Sequence, residues 1–128
     1  MKKVYDTINQ YCVEHELLTN GDGIVIGLSG GMDSVCLLQV LAALRNEWQL
    51  RLVCVHVHHG IRGTAADEDA AFAQRLAAKY NISFRLYEMD IPQLAKEQGL
   101  SEEEAGRNYR YRCFEEVRKE LNFDKIAV

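Results

Sequence analysis

Ile24-Val25-Ile26-Gly27-Leu28 is an apolar run of strand length that stops at Ser29-Gly30-Gly31-Met32-Asp33-Ser34. An apolar helical run, Val35 to Leu44, follows at once, and the pattern predicts a helix from about Ser34 to Arg45. A strand, a glycine-rich turn and a helix start in immediate succession leave backbone N–H groups that the helix cannot satisfy. The helix dipole makes the same place electropositive. Together they form an anion site, ordinarily a phosphate site. Gly30 and Gly31 let the backbone approach a ligand closely, and Ser29 and Ser34 bring hydroxyls. Asp33 would face a polyphosphate only across a hard cation, which makes it a candidate Mg²⁺ ligand together with the nucleotide's own oxygens.

Three motifs compete for this loop. The Walker A loop requires a Lys after its glycines, and none follows here. Gly27-Leu28-Ser29-Gly30-Gly31 matches the G-x-S-x-G nucleophile elbow. Against it, this is the first strand of the chain, and no His follows position 59 to complete a triad in the order Ser, acid, His. The third is a nucleotide-phosphate loop, and beside all three stands a turn that binds nothing.

The remaining pattern is α/β. Val4, Ile8, Tyr11, Cys12, His15 and Leu18 recur at helical spacing, which predicts a leading amphipathic helix over residues 1–20. Leu50 to Val57 reads as a second strand, with Val53, Val55 and Val57 on one face and Cys54, His56 and His58 on the other. It ends in His58-His59-Gly60-Ile61-Arg62-Gly63. Ligands of doubly wound sheets bind outside the carboxyl ends of the strands, so His59 and Arg62 are candidates for nucleotide binding, and His56 belongs to the core. Thr64-x-x-Asp67 reads as a capping box that opens a helix with Phe72, Leu76 and Tyr80 facing inward. Asp67-Glu68-Asp69 then complements the dipole of its first turn. Ile82 to Met89 alternates with one mixed face, as in a strand nearer the sheet edge. Pro92 breaks the chain before a short helix at Gln93 to Gln98. Ser101-x-x-Glu104 is a second capping box, and its helix to about Leu121 buries Ala105, Tyr109, Cys113, Val117 and Leu121. Glu103, Arg107, Arg110 and Phe114 fall on an adjoining face, and its two arginines stand where they can clamp phosphate. Asp124 to Val128 begins a fourth strand. Right-handed crossovers arrange these elements as a parallel sheet with helices on both faces.

Size and charge bound the function. The 128 residues, 48% hydrophobic, suffice for one globular domain with a real core. The formal net charge of −4 is opposite to that expected of a wholesale nucleic-acid binder. No secretory signal or apolar run of membrane-spanning length is present. Cys12, Cys36, Cys54 and Cys113 form no C-x-x-C pair and read as buried, reduced thiols of a cytoplasmic protein. Because the chain stops inside a strand, it is expected to be a fragment of a longer protein.

Ser29-Gly30-Gly31-Met32-Asp33-Ser34 resembles the pyrophosphate-binding loop S-G-G-x-D-S of the ATP pyrophosphatase (PP-loop) superfamily, whose fold is adenine nucleotide alpha hydrolase-like. Val55-His56-Val57-His58-His59-Gly60-Ile61-Arg62-Gly63 is similar to the second-strand motif of the tRNA(Ile)-lysidine synthetases, with His58 where many members carry Asn or Asp. The stretch Ser101 to Phe114, Glu-rich and then Arg107-Asn108-Tyr109-Arg110-Tyr111, resembles their third-helix signature. The resemblance implies a domain that binds Mg-ATP, with Ser29, Gly30, Gly31, Asp33 and Ser34 on the phosphates and Met32 contributing backbone. Asp33 would hold Mg²⁺, and Arg107 or Arg110 would neutralise charge on the phosphates or the adenylate. It further implies adenylation of the wobble cytidine of tRNA(Ile), attack by free lysine, and a tRNA grip supplied mostly by domains beyond this stretch. The family's acidic His-His-x-x-Asp-Asp-x-x-Glu-Thr segment does not occur in these residues, so the fragment alone is expected to fold, bind ATP weakly and not turn over. Another PP-loop enzyme, such as a tRNA thiolase or an amide synthetase, and a nucleotide-binding module without chemistry remain open, as does the oligomeric state.

Overall fold

A computed structural model of the chain describes residues 17–29, 31–60 and 64–128. The leading helix, Gly30 and Arg62 lie outside the described residues, as does most of the interval that links the second strand to the helix after it. Four parallel strands, β1 (Gly23–Gly27), β2 (Arg51–His58), β3 (Ser83–Glu88) and β4 (Lys125–Ala127), alternate with α1 (Met32–Trp48), α2 (Thr64–Lys79), α3 (Ile91–Gln98) and α4 (Glu102–Leu121). The strand order is β3-β2-β1-β4. The chain therefore steps from β1 outward to β3 and then returns across β1, which places the reversal between β1 and β4.

Strand alternation assigns the two faces. Ile24, Ile26, Leu28 and Cys54 pack with Leu38, Leu41 and Leu44 of α1 and Ala73, Leu76 and Ala77 of α2. Val25, Val53, Val55 and Val57 pack with Cys113, Phe114 and Val117 of α4 on the other face. β1 is buried along its whole length, as the lack of alternation in its sequence requires of a central parallel strand. β3 lies at an edge, and its mixed face follows from that position. Burial pushes the Cys54 thiol up to about 12, partly offset by the nearby Arg45, so this thiol stays protonated and inert.

Several local expectations are corrected. Leu76 and Tyr80 pack inward as expected, but Phe72 is 40% exposed, and Ala70, Ala73 and Ala77 complete the stripe that meets the sheet. Small residues there bring the helix close to the strands, and Phe72 falls outside the contact. Cys36 is exposed, not buried, because α1 buries one face only, through Ser34, Leu38, Leu41 and Leu44. Pro92 does not precede the short helix but lies in its first turn, where a missing N–H costs nothing. Asp90 caps that helix by accepting the Gln93 N–H at 3.1 Å. Helix α2 begins at Thr64, with Asp67 in its first turn. The second capping box begins as expected, with the Ser101 hydroxyl accepting the Glu104 N–H at 3.1 Å.

The amino ends of the strands are fastened by charge. Buried Asp22 accepts the Thr19 N–H at 2.9 Å and pairs with Lys125 of β4. Asp124 accepts the Gly23 N–H at 2.8 Å and the Arg51 guanidinium at 3.3 Å. Removing one member of a buried pair strands the other, but Lys125 is partly solvated, which moderates the cost. Asp22→Ala is expected to destabilise the chain by about 2 kcal/mol, read as a lower urea midpoint at unchanged slope. A loss below about 0.5 kcal/mol would show that the Asp22–Lys125 pair does little to hold β4.

Candidate nucleotide site

The loop after β1 is rooted on β2. The Leu28 N–H donates to the Val55 carbonyl at 2.9 Å. The Leu28 carbonyl accepts from Nδ1 of buried His56 at 2.6 Å, which fixes that ring as the Nδ1–H tautomer. Beyond Leu28, two hydroxyls organise the turn. Ser34 Oγ donates to the Gly31 carbonyl at 2.9 Å and accepts both the N–H and the hydroxyl of Ser29 at 3.2 Å. Ser29 Oγ in turn accepts the Gly31 N–H at 3.3 Å. One direction of proton donation satisfies all four contacts, so Ser34, itself buried, works as the knot of the loop. Gly31 is the extended N-cap residue of α1 and supplies no side-chain cap. The first-turn N–H groups of a 17-residue helix are thus left for an anion.

Three histidines close the end of β2. His58 is buried; its Nδ1 accepts the Gly60 N–H at 3.0 Å, so its Nε2–H donates to Asp67 of α2 at 2.7 Å. Asp67 therefore ties α2 to the sheet in addition to serving its helix start. Gly60 has φ +81°, and a Cβ there would lie 2.7 Å from the Met89 carbonyl oxygen, so only glycine fits. The His59 carbonyl accepts the Ile91 N–H at 3.1 Å. Burial, and next the Arg110 guanidinium, hold the His59 pKa below the usual imidazole value.

These elements enclose a cleft of about 1180 Å³ at the carboxyl edge of the sheet. Ser29, Asp33, Ser34, His59 and Arg110 all line it. Gly31, Met32 and Arg107 are not among the lining residues; Met32 is 78% exposed, and Arg107 is exposed on α4. Arg107 sits where α4 leans on α3 through Ala105, Ile91 and Ala95, one turn short of the cleft wall. Tyr111 and Val128 are lining residues that the sequence reading missed. Their signal was the i, i+3 spacing of Tyr111 to Phe114 and the position of Val128 at a strand end. Gly27 lets this wall close on the loop: a Cβ there would lie 2.7 Å from Phe114 Cζ and 2.6 Å from Val128 Cγ1. A smaller cleft of about 210 Å³ shares His59 and Arg110 and is bordered by Glu102 and Glu103.

Among the described residues no group of three or more His, Cys, Asp or Glu side chains could hold a metal ion. One exposed carboxylate at a phosphate loop still suits Mg²⁺, which is commonly held by one or two carboxylates, substrate phosphates and water. Asp33 is such a carboxylate, in the first turn of α1 and on the cleft lining.

A strand–loop–helix phosphate site at the head of a parallel sheet defines a nucleotide-binding α/β protein. The chain belongs to the PP-loop domain family, whose model matches residues 2–128. Among curated proteins it is similar to the tRNA(Ile)-lysidine synthase of Caldanaerobacter subterraneus subsp. tengcongensis, 46% identical over 128 residues, 100% of this chain and 27% of the relative. It is also similar to the tRNA(Ile)-lysidine synthase of Clostridium tetani, 39% identical over 125 residues, 98% of this chain and 26% of the relative. The chain thus spans about a quarter of the length of these relatives. Among solved structures, the U34-tRNA thiolase NcsA from Methanococcus maripaludis superposes with a TM-score of 0.73 at 20% identity, covering 98% of this chain and 45% of that one. The NH3-dependent NAD synthetase from Campylobacter jejuni superposes with 0.69 at 19% identity, covering 97% of this chain and 54% of that one. These two likenesses establish the fold.

His59 generates a test of the electrostatics. Its folded pKa is depressed, so the unfolded chain takes up the proton first as pH falls. Its contribution to stability is then fully present above the ordinary imidazole value of 6.5 and is lost as pH falls through the folded value. The His59 Cε1 proton is expected to titrate below 6.5 by NMR, and Arg110→Gln to raise the midpoint without restoring 6.5, because burial is the larger cause. An unmoved midpoint would mean that Arg110 does not reach the ring electrostatically.

Proposed function

We propose that this chain is the ATP-binding domain of a tRNA(Ile)-lysidine synthetase. The observation that carries this reading is the match to relatives of that name along 98–100% of the chain at 39–46% identity. The geometry of the cleft agrees with it. The α1 amino terminus receives the ATP phosphates, with Ser29 and Ser34 shaping the loop around them. Asp33 would hold Mg²⁺ at this site, and the ion would supply neutralisation of phosphate charge when bound. Arg110, on the same cleft, faces the charge that develops during transfer. Arg107, outside the lining, is the weaker candidate for that role.

The reaction is a two-step displacement. The C2 oxygen of the wobble cytidine attacks the α-phosphorus of ATP, and pyrophosphate leaves. The amine of free lysine then attacks C2, and AMP leaves with the former C2 oxygen, giving lysidine. Free lysine and tRNA(Ile) are the partners, and much of the RNA contact comes from domains outside this acidic stretch. No helix among the described residues is long and apolar enough to cross a membrane.

The decisive assay incubates the full-length gene product with Mg-ATP, bulk tRNA and radiolabelled lysine. Label is expected in the RNA only when ATP is present. AMP and pyrophosphate released without label would move the chain to another PP-loop chemistry, and ATP binding without pyrophosphate release would make it a non-catalytic module. Asp33→Ala is expected to lower lysine incorporation by about 10²–10³-fold with unchanged circular dichroism, since its carboxylate is exposed. An unfolded variant would reassign Asp33 to a structural role.

A further inference from the structure

The three histidines at the end of β2 are not used alike. His56 is tied through Nδ1 to the Leu28 carbonyl. His58 engages both ring nitrogens, one with the Gly60 N–H and one with Asp67. His59 is partly buried, and among the described residues neither of its ring nitrogens has a hydrogen-bond partner. Among the same residues, the buried side-chain nitrogen or oxygen without a partner is Arg45 Nε alone. Both His59 nitrogens are therefore within reach of solvent. The ring is nonetheless held. A Cβ on Gly106 would lie 3.4 Å from its Cε1, so the imidazole rests against a position of α4 that carries no side chain. The His59 carbonyl is fixed by the Ile91 N–H.

His59 also stands where two clefts meet. The carboxylates and imidazoles on the large cleft are Asp33, Asp69, His56, His58 and His59; among these described residues only His59 lines the small cleft as well. At about 210 Å³ the small cleft is too small for a nucleotide and large enough for an alkylammonium group. Glu102 and Glu103 at its border favour a cation there. Around the ring, α4 brings Arg110, Glu102 and Glu103, β2 brings His56 and His58, and α3 brings the uncharged Ile91 and Pro92.

We propose that His59 is the general base of the second step, accepting the proton that the lysine nitrogen loses as it bonds to C2, with the lysine side chain arriving by the small cleft. The lysidine reading above is its premise. The side-chain amine of free lysine is an ammonium ion at neutral pH and has no electron pair with which to attack. It gives one proton to water on entry. The neutral nitrogen then bonds to C2 and becomes cationic, and one of its protons passes to an unprotonated ring nitrogen of His59. The C2–O bond breaks, its electron pair leaves with AMP, and His59 returns the proton to solvent. Burial, and next Arg110, hold the His59 pKa below the usual imidazole value, so the ring is unprotonated at neutral pH and able to accept.

The test uses the full-length protein in two stages. Adenylated tRNA(Ile) is first formed from Mg-ATP without lysine and followed by pyrophosphate release. Radiolabelled lysine is then added below saturation, and transfer to the RNA is followed. His59→Gln and His59→Asn are expected to slow transfer by about 10²–10⁴-fold and adenylation by no more than about a tenth of that factor. Wild-type transfer is expected to fall about tenfold per pH unit above the His59 midpoint, from protonation of the amine alone, and about a hundredfold per unit below it, where the ring is protonated too. The two variants keep the shallower dependence throughout, and Arg110→Gln moves the break upward. A merely structural role would slow both steps alike and leave the break in place. Equal losses in the two steps, transfer by both variants within about threefold of wild type, or a break that persists in His59→Gln would overturn the proposal. Wild type that transfers no lysine would overturn the lysidine reading and this proposal with it. Wild type that transfers lysine, with variants that do so equally well, would overturn this proposal alone.

Discussion

The site depends on how Leu28 is held. Its N–H is taken by the Val55 carbonyl and its own carbonyl by the His56 ring, so the chain leaves β1 in one fixed direction. Both partners come from β2, which makes the neighbouring strand the template for the phosphate loop. The Ser29–Ser34 knot then continues that order into the first turn of α1. A loop that presents backbone N–H groups to an anion must be rigid before the anion arrives, because ordering it afterwards would cost binding energy. Hydrogen bonds that run inward, from buried groups to the loop, supply that rigidity without occupying the N–H groups at the helix start.

The same logic explains the chemistry-bearing side chains around the loop. His56 and His58 are spent on structure: one holds Leu28, the other joins Gly60 to Asp67. His59 and Arg110 remain at the boundary between the large and small clefts. A neutral His59 beside a permanently charged Arg110 keeps positive charge concentrated on the arginine, where an anionic phosphate would meet it. The charge latches of Asp22 and Asp124 lie at the opposite end of the sheet. Fold stability and ligand contact are thereby separated along the strands, as in other parallel α/β sheets.

Much of this was legible in the residues. The apolar run of β1, the alternation of β2 and the stripe of α4 each follow from a period of two or about 3.6, and the structure places Val53, Val55 and Val57 opposite Cys54 as that alternation demands. That Ser29, Asp33 and Ser34 share one loop and line the cleft was legible because a strand–loop–helix turn is a local object. The errors arose where a local pattern met a distant partner. Phe72 has helical spacing suited to a core, but the face of α2 that meets the sheet runs through Ala70, Ala73, Leu76 and Ala77. Thr64 and Asp67 have capping-box spacing, but Asp67 meets a histidine from the strand before it.

Sequence alone determined the alternation of strands and helices, the parallel class of the sheet, and the tight loop between β1 and α1, because hydrophobic period, helix termini and glycine placement act over a few residues. Tertiary structure decided the strand order β3-β2-β1-β4, the choice of Arg110 over Arg107 at the cleft, and the presence of Tyr111 on its wall. Those features join residues far apart in the chain, as Gly23 and Asp124 are joined across 101 positions. Which of several chemically suitable side chains comes to lie at a site is set by where helices stop against the sheet. That depends on the packing of the whole domain and leaves no mark in any short stretch of sequence.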